Sequence, residues 1–301
     1  MLNENNAIPT FCGFVAIIGR PNVGKSSLIN ALVAKKISII SYKPQTTRHQ
    51  ILGVKTNENR QVIYVDTPGL HLNGTKAVNQ YMNKQAMHSL QDVNAVIFVI
   101  EALKWTQEDS HAANVLSKLV CPIVVAVNKI DLQKDKKNLL PFLLKVQDQL
   151  PKANIIPISA LKKIQIDDLE KLIQTYIPES PFYFSSDDVS NRDSGFHISE
   201  LIREPCMLML QAELPYAVHV QIEKLFKEKD VTHIHGLILV ERESQKGILI
   251  GENGIQLKKI GTHARHSIEK YLGNKVFLKL WVKVKENWSN NPNAMKDLGF
   301  D

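Results

Sequence analysis

The sequence predicts two domains of different architecture: an α/β unit with a mostly parallel sheet and helices on both faces, then a smaller α+β unit. Three observations carry this reading. Short apolar runs recur through the first half, each ending in a short polar motif, as strands of a parallel sheet do at their carboxyl ends. The first run feeds a glycine-bearing loop and a helix. The second half changes period, giving helix, two alternating strands, short helix, Gly-x-x-Gly, helix and a final alternating strand. A length of 301 residues allows about two domains. The expected boundaries are 1–182 for the first domain, 183–196 for a linker and 197–301 for the second.

The run Phe14-Val15-Ala16-Ile17-Ile18 reads as a buried strand and Leu28-Ile29-Asn30-Ala31-Leu32 as a helix. Between them lies Gly19-Arg20-Pro21-Asn22-Val23-Gly24-Lys25-Ser26-Ser27, which fits GxxxxGK[ST]. Glycines at these places let successive N–H groups turn toward a polyphosphate, and the helix adds its positive end. Lys25 can reach the outer phosphates, and the Ser26 hydroxyl can ligate magnesium. A ligand-free turn would need only the glycines. The lysine, the hydroxyl and the strand–loop–helix context make the phosphate loop the better reading.

Asp66-Thr67-Pro68-Gly69 follows the run Val62-Ile63-Tyr64-Val65. A carboxylate at the end of a neighbouring parallel strand can hold magnesium. The N–H of Gly69 can sense a terminal phosphate. Asn128-Lys129-Ile130-Asp131 follows Ile123-Val124-Val125-Ala126-Val127. Asp131 can accept from the N1–H and exocyclic amine of guanine. Adenine lacks that donor pair, so a buried carboxylate left unpaired disfavours ATP. The Lys129 stem can cover the base. Ser159-Ala160-Leu161, after Ile155-Ile156-Pro157-Ile158, supplies a backbone N–H near the guanine O6. Each short motif alone would pass for a strand-to-loop junction. In this order they specify a P-loop GTPase domain that binds GTP and GDP.

With these motifs in place, the first half resembles the translation-factor-related GTPases. Asn22 and Gln45-Thr46-Thr47-Arg48 are similar to the bacterial Era-type proteins. The resemblance makes Tyr42 to Gln50 a first switch and Thr47 the ligand of magnesium and the γ-phosphate. Spacing alone does not rank Thr47 above Thr46. It also implies chemistry carried by Lys25, Asn22, Thr47 and Gly69, and magnesium held by Ser26, Thr47 and Asp66. Leu70 stands where Ras-like enzymes place a water-orienting glutamine. An apolar side chain orients no water, so hydrolysis needs other electrostatic help. Proteins carrying an asparagine like Asn22 use a potassium ion for this, and the resemblance extends that expectation here.

A helix is expected over Asp167 to Tyr176, then a polar stretch Ser185 to Ser194 with linker composition. In the second half, Ile198 to Ala212 has helical spacing, interrupted by Pro205. Two antiparallel strands should meet around Lys227 to Asp230. A short helix near Gln245 to Ile250 leads to Gly251-Glu252-Asn253-Gly254. A helix from Ile255 to about Leu272 and a strand through Val276, Leu278, Leu280, Val282 and Val284 complete the order of a type II KH domain. Its glycines let a nucleotide backbone approach a helix N-terminus. Glu213-Leu214-Pro215-Tyr216, Leu257-Lys258-Lys259-Ile260-Gly261 and Leu280-Trp281-Val282-Lys283-Val284-Lys285 also look like the Era family, so the resemblance spans nearly the whole chain.

Charge is concentrated in this region. Gln245 to Lys285 holds nine Lys or Arg against two acidic residues, while the whole chain is +7. A local basic excess suits nucleic acid, although a solvated helix face would also show it. Lys246, Lys258 and Lys259 with Gly251 to Gly254 are the expected RNA contacts. Glu252 departs from loops with a basic residue there and would repel phosphate. His233 and His235 share a strand face, where an RNA-facing or solvated pair is preferred to a metal pair. Trp281 and Trp288 are expected to pack.

Three dispersed cysteines, Cys12, Cys121 and Cys206, fit neither a disulfide framework nor a zinc site and point to a reducing cytoplasm. No signal peptide or spanning segment is visible. Peripheral association with a membrane is open through the basic face, and a monomer is expected. The resemblance implies a GTP-hydrolysing switch that binds 16S ribosomal RNA near its 3′ end and acts in 30S subunit assembly. The alternatives are a second domain that docks a protein, and a GTPase of tRNA modification.

Overall fold

The computed structural model describes residues 8–43, 46, 48–66, 90, 92–133 and 136–300. Thr47, Gln45, Thr67, Pro68, Gly69 and Leu70 lie outside the described residues, so the expectations placed on them stand as sequence readings. The chain divides into two compact units. Among the described residues no helix is long and apolar enough to cross a membrane.

The first unit is built on a six-stranded sheet in the order β2-β3-β1-β4-β5-β6. Its strands are β1 (Phe11–Ile18), β2 (Ile51–Asn57), β3 (Arg60–Asp66), β4 (Ala95–Glu101), β5 (Ile123–Asn128) and β6 (Asn154–Pro157). All pairings are parallel except β2 with β3. Helix α1 (Lys25–Val33) packs with α4 (Ile166–Gln174) and with β1 to β3. Helices α2 (Gln107–Leu116) and α3 (Leu139–Gln149) cover the other face through Ala112, Leu116 and Val146. Central strands are buried on both faces, which is why their sequences are continuous apolar runs. Chain order reverses on either side of β1, so the loops after β1 and β4 diverge and open a crevice at the carboxyl edge.

The stretch 183–191 is not a free tether in this structure. Gln61, fully buried, accepts from the backbone N–H groups of Tyr183 and Phe184 at 3.0 Å and donates to the Phe184 carbonyl at 2.9 Å. Val54 donates to the Val189 carbonyl, and Leu52 to the Asn191 side chain. The edge strand β2 thus gives its outward hydrogen bonds to this segment, which covers a row of otherwise unpaired groups.

The second unit includes Arg192–Asp301 and, from earlier in the chain, Ser38–His49. Helix α5 (Ser194–Met209) begins where Asp193 accepts from the Phe196 N–H at 2.7 Å, an N-cap that the glycine at 195 disguises in sequence. It runs through Pro205 and is followed by the short α6 (Leu214–Ala217). Strands β7 (His219–Glu228), β8 (Val231–Val240) and β9 (Lys275–Val284) form a sheet in that order, with β7 antiparallel and β9 parallel to β8. Helices α7 (Glu243–Ile250) and α8 (Ile255–Leu272) pack with α5 on one sheet face. A C-terminal segment with α9 (Pro292–Asp297) covers part of the other. There Trp288, Met295, Leu298 and Phe300 bury Leu237 and Leu239.

The segment Ser38–His49 is held in this unit by polar contacts. Arg48, nearly inaccessible, donates to the carbonyls of Val218 at 2.7 Å, Tyr216 at 2.9 Å and Pro215 at 3.2 Å. These carbonyls end α6, a helix too short to satisfy them itself. Arg203, doubly bonded to Glu200, also donates to the Thr46 carbonyl. Glu204 accepts from the Ile40 N–H at 3.1 Å, and the Lys43 ammonium donates to the Leu210 carbonyl.

Two buried histidines beside these arginines set the acid limit of the unit. Burial first, then Arg192, Arg203 and Arg48, lower His49 from 6.5 to about 3. Burial first, then His49, Arg48 and Arg203, lower His219 likewise to about 3, with Glu200 opposing. Both stay neutral in the fold and charge in the unfolded chain as pH drops below 6.5. Stability is therefore present above that pH and lost progressively toward 3, by about 1–2 kcal/mol per histidine between pH 7 and 5. Urea midpoints measured at the two pH values should differ accordingly, and His49→Gln should shrink the difference.

Candidate functional site

The carboxyl edge of the first sheet gathers the motif residues. The loop after β1 folds back between strand ends. Gly24 has φ +101°, and a Cβ there would lie 2.3 Å from the Asn128 amide nitrogen. A Cβ on Gly19 would lie 2.3 Å from the Val99 carbonyl. Both glycines are therefore required by close approach as well as by the turn. Asn22 adopts φ +64°, a left-handed geometry that asparagine tolerates better than most residues.

Asn128 is the tie between the loops. Its amide donates to the Val23 carbonyl at 2.8 Å, and its oxygen accepts from the Ala160 N–H at 2.9 Å. One side chain at the end of β5 thus fixes the phosphate loop and the Ser159-Ala160 turn together. The Ala160 N–H expected near a guanine O6 is engaged by Asn128 here. Ser159 donates to the Asp131 carboxylate and also accepts from the Lys162 N–H at 3.1 Å. Asp131 is thereby oriented from the side by a neutral donor.

Lys25 opens α1, and its ammonium donates to the carbonyls of Gly19 at 2.9 Å and Arg20 at 3.0 Å. Burial, with Arg20 assisting and Asp66 opposing, lowers it to about 8. It remains mostly charged at neutral pH, a desolvated cation wrapped in loop backbone. Asp66 is fully buried at the end of β3, with the Ser26 hydroxyl 3.5 Å away. A buried carboxylate beside a hydroxyl and an ammonium is a donor set suited to a hard cation bridging to phosphate oxygens. Magnesium fits Ser26 and Asp66 on that chemistry.

Arg20 and Lys129 depart from simple ligand roles. The Arg20 guanidinium bonds Asp109 at 3.2 Å and Glu101 at 3.4 Å, and Lys129 bonds the same Glu101 at 3.0 Å. Glu101 closes β4 and was not singled out by any motif. Burial acts to raise its carboxyl, but the Lys129 hydrogen bond and the charges of Lys129, Lys104 and Arg20 overcome this and leave it below the usual value. It aligns the Lys129 stem and braces the phosphate loop through Arg20. An acidic residue ending a strand between two recognised motifs was the available signal.

In the second unit, the Gly-x-x-Gly loop forms a tight 3-10 turn over Glu252–Gly254 before α8. Gly251, Asn253 and Gly254 have φ of +72°, +49° and +76°. Beside the loop runs a shallow groove of about 370 Å³, lined by Gly254, Leu257, Lys258, Thr262 and Arg265 of α8 and by Leu278 and Leu280 of β9. Thr262, Arg265, Leu278 and Leu280 were missed in sequence. The signal for Thr262 and Arg265 was the three-and-four spacing along one helix face, and for Leu278 and Leu280 the alternation of β9. Lys258 lines this groove and also an adjoining hollow, which Lys259 lines with Ile255, Thr262 and His263. Lys246 pairs with Glu243 at 3.5 Å, so it offers less compensation for Glu252 than the sequence suggests.

Residues 14–129 match the family model described as a 50S ribosome-binding GTPase, and residues 213–289 match the KH domain. The chain is 49% identical over 289 residues to GTPase Era of Ectopseudomonas mendocina, covering 96% of this chain and 97% of that protein. It is 48% identical over 299 residues to GTPase Era of Pseudomonas fluorescens, covering 99% of each. A crystal structure of Era in complex with MgGDPNP and nucleotides 1506-1542 of 16S ribosomal RNA is similar at 37% identity and TM-score 0.91, covering 97% of this chain and 99% of that one. A variant of Aquifex aeolicus Era bound to GDP and AlF4- gives 36% identity and TM-score 0.92, covering 97% of this chain and 99% of that one. With a phosphate loop, a guanine-selective loop set and a KH fold joined in one chain and matched end to end, the protein belongs to the Era family of GTPases.

Proposed function

We propose that this protein hydrolyses GTP and uses the nucleotide state to control binding of small-subunit ribosomal RNA, acting in 30S subunit assembly in the cytoplasm. The observation that carries the switching reading is the fixation of Ser38–His49. Thr46 and Arg48, on either side of Thr47, are hydrogen-bonded within the KH-containing unit. On the sequence reading Thr47 would join a magnesium ion held by Ser26 and Asp66, so one short segment would carry a nucleotide contact and contacts to the KH-containing unit. GTP and GDP then differ in affinity for the two arrangements, which is what coupling requires. The 16S RNA bound by the solved Era relative supports small-subunit RNA as the ligand. That likeness covers nearly the whole chain, whereas the domain description naming the 50S subunit covers only 14–129.

The roles follow from the chemistry of the residues. Lys25 neutralises charge on the outer phosphates, the loop N–H groups cradle them, and Asp131 selects guanine. Asn22 would hold a potassium ion together with the loop backbone, and the ion would add the positive charge that Leu70 does not supply. The basic stretch gives the protein a face for anionic membrane surfaces as well, but the RNA groove has the more specific geometry.

Three measurements test these assignments. Asp131→Asn replaces an acceptor pair by one acceptor and one donor, so affinity should fall about a hundredfold for GTP and rise for xanthosine triphosphate, read by nucleotide titration. Hydrolysis should slow when sodium replaces potassium; equal rates would remove the ion from the mechanism. RNA affinity measured with a GTP analogue and with GDP should differ by about tenfold or more and fall steeply with salt. Equal affinities would break the coupling while leaving both binding activities in place.

A further inference from the structure

The outer face of the three-stranded sheet, opposite α5 and α8, is only half covered. The C-terminal segment buries Leu237 and Leu239 at one end. At the other end a row of rings crosses all three strands in register. Phe226 pairs with His233, and His233 with Phe277. Phe226 and His233 stack at 5.0 Å with planes 9° apart, and His233 lies 5.2 Å from Phe277. The next row carries His235, 6.2 Å from Phe226 and 5.9 Å from Trp281.

The two phenylalanines of this row are open to water. Phe226 is 46% and Phe277 52% exposed. Between and beside them the same face carries lysines. Lys224 is opposite His235, and Lys279 is opposite it on the other side. Along β9 the outward positions read Lys275, Phe277, Lys279, Trp281, Lys283, alternating cation and ring, while Val276, Leu278, Leu280 and Val282 face inward. Glu228, 3.8 Å from His233, is the acidic group at the margin.

Exposed π-faces alternating with ammonium groups on a rigid sheet match what a single-stranded nucleic acid needs. Bases stack on rings without sequence preference, and phosphates are neutralised between them. A protein-docking face would be expected to exclude charge from its centre. We propose that this sheet face is a second RNA-binding surface, a stacking platform for single-stranded RNA distinct from the Gly-x-x-Gly groove. Strand β9 links the two: its inward Leu278 and Leu280 line the groove, and its outward Phe277 and Lys279 belong to the platform. A strand leaving the groove over the β9 edge reaches the platform. The proposal rests on the RNA-binding reading of the groove only for that path.

The test compares a short single-stranded RNA of about four nucleotides, enough for a KH loop, with one about twice as long, using the full chain. Phe226→Ala with Phe277→Ala should weaken the longer RNA by about tenfold or more and leave the short one unchanged. Phe277→Trp should retain affinity for the longer RNA, and Phe277→Leu should lose it although it is equally apolar. Wild-type binding of the longer RNA by the double variant, retention by Phe277→Leu, or equal loss for both lengths would each overturn the platform. Lys258→Glu with Arg265→Glu tests the groove separately. If that variant leaves the short RNA unaffected, the groove reading fails while the length-dependent comparison still decides the platform.

Discussion

The Arg48 guanidinium, inserted among the terminal carbonyls of α6, is the contact on which the functional organisation depends. A charge that deeply placed needs hydrogen-bond partners, and three backbone carbonyls accept from its two terminal nitrogens. Burial first, then Arg203, lower its pKa to about 9, with Glu200 and Glu241 opposing, so it remains a cation at neutral pH. Removing it would leave a short helix uncapped and the segment Ser38–His49 held only by the bonds of Ile40, Lys43 and Thr46. The same residue stands one position after the threonine expected to sense the γ-phosphate.

The nucleotide site follows a comparable rule of shared atoms. Asn128 serves two loops at once, and Glu101 serves two cations. Such sharing makes the loops rise and fall together, which suits a site that must discriminate guanine and hold phosphates in one geometry. It also explains why glycine is required at 19 and 24: the loop is pressed against Val99 and Asn128, with no room for a Cβ.

The KH-containing unit presents a more open arrangement, with Lys258 and Thr262 exposed along the groove. The groove is shallow, its cations Lys258 and Arg265 lie along α8, and Glu269 tempers Arg265 from 3.0 Å. Weak, additive contacts of this kind favour recognition of a flexible strand over a rigid object. The outward lysine–aromatic alternation of β9 extends the same character to the other side of the sheet.

The apolar runs, the glycine spacing and the order of motifs determined the first sheet and the strand–loop–helix that carries Lys25, because each depends on local period or backbone geometry. The KH order and the helix from Ile255 to Leu272 were equally legible, since their signals lie within a few residues of one another. The structure alone revealed that 183–191 is laid along β2, that Gln61 holds it, and that α5 starts at Ser194. Only the tertiary arrangement decided that Arg48 belongs to the KH-containing unit, that Glu101 aligns Lys129, and that Arg265 and Leu278 share a groove. Those facts join residues far apart in the chain, and a side chain's choice among distant carbonyls or carboxylates leaves no trace in spacing.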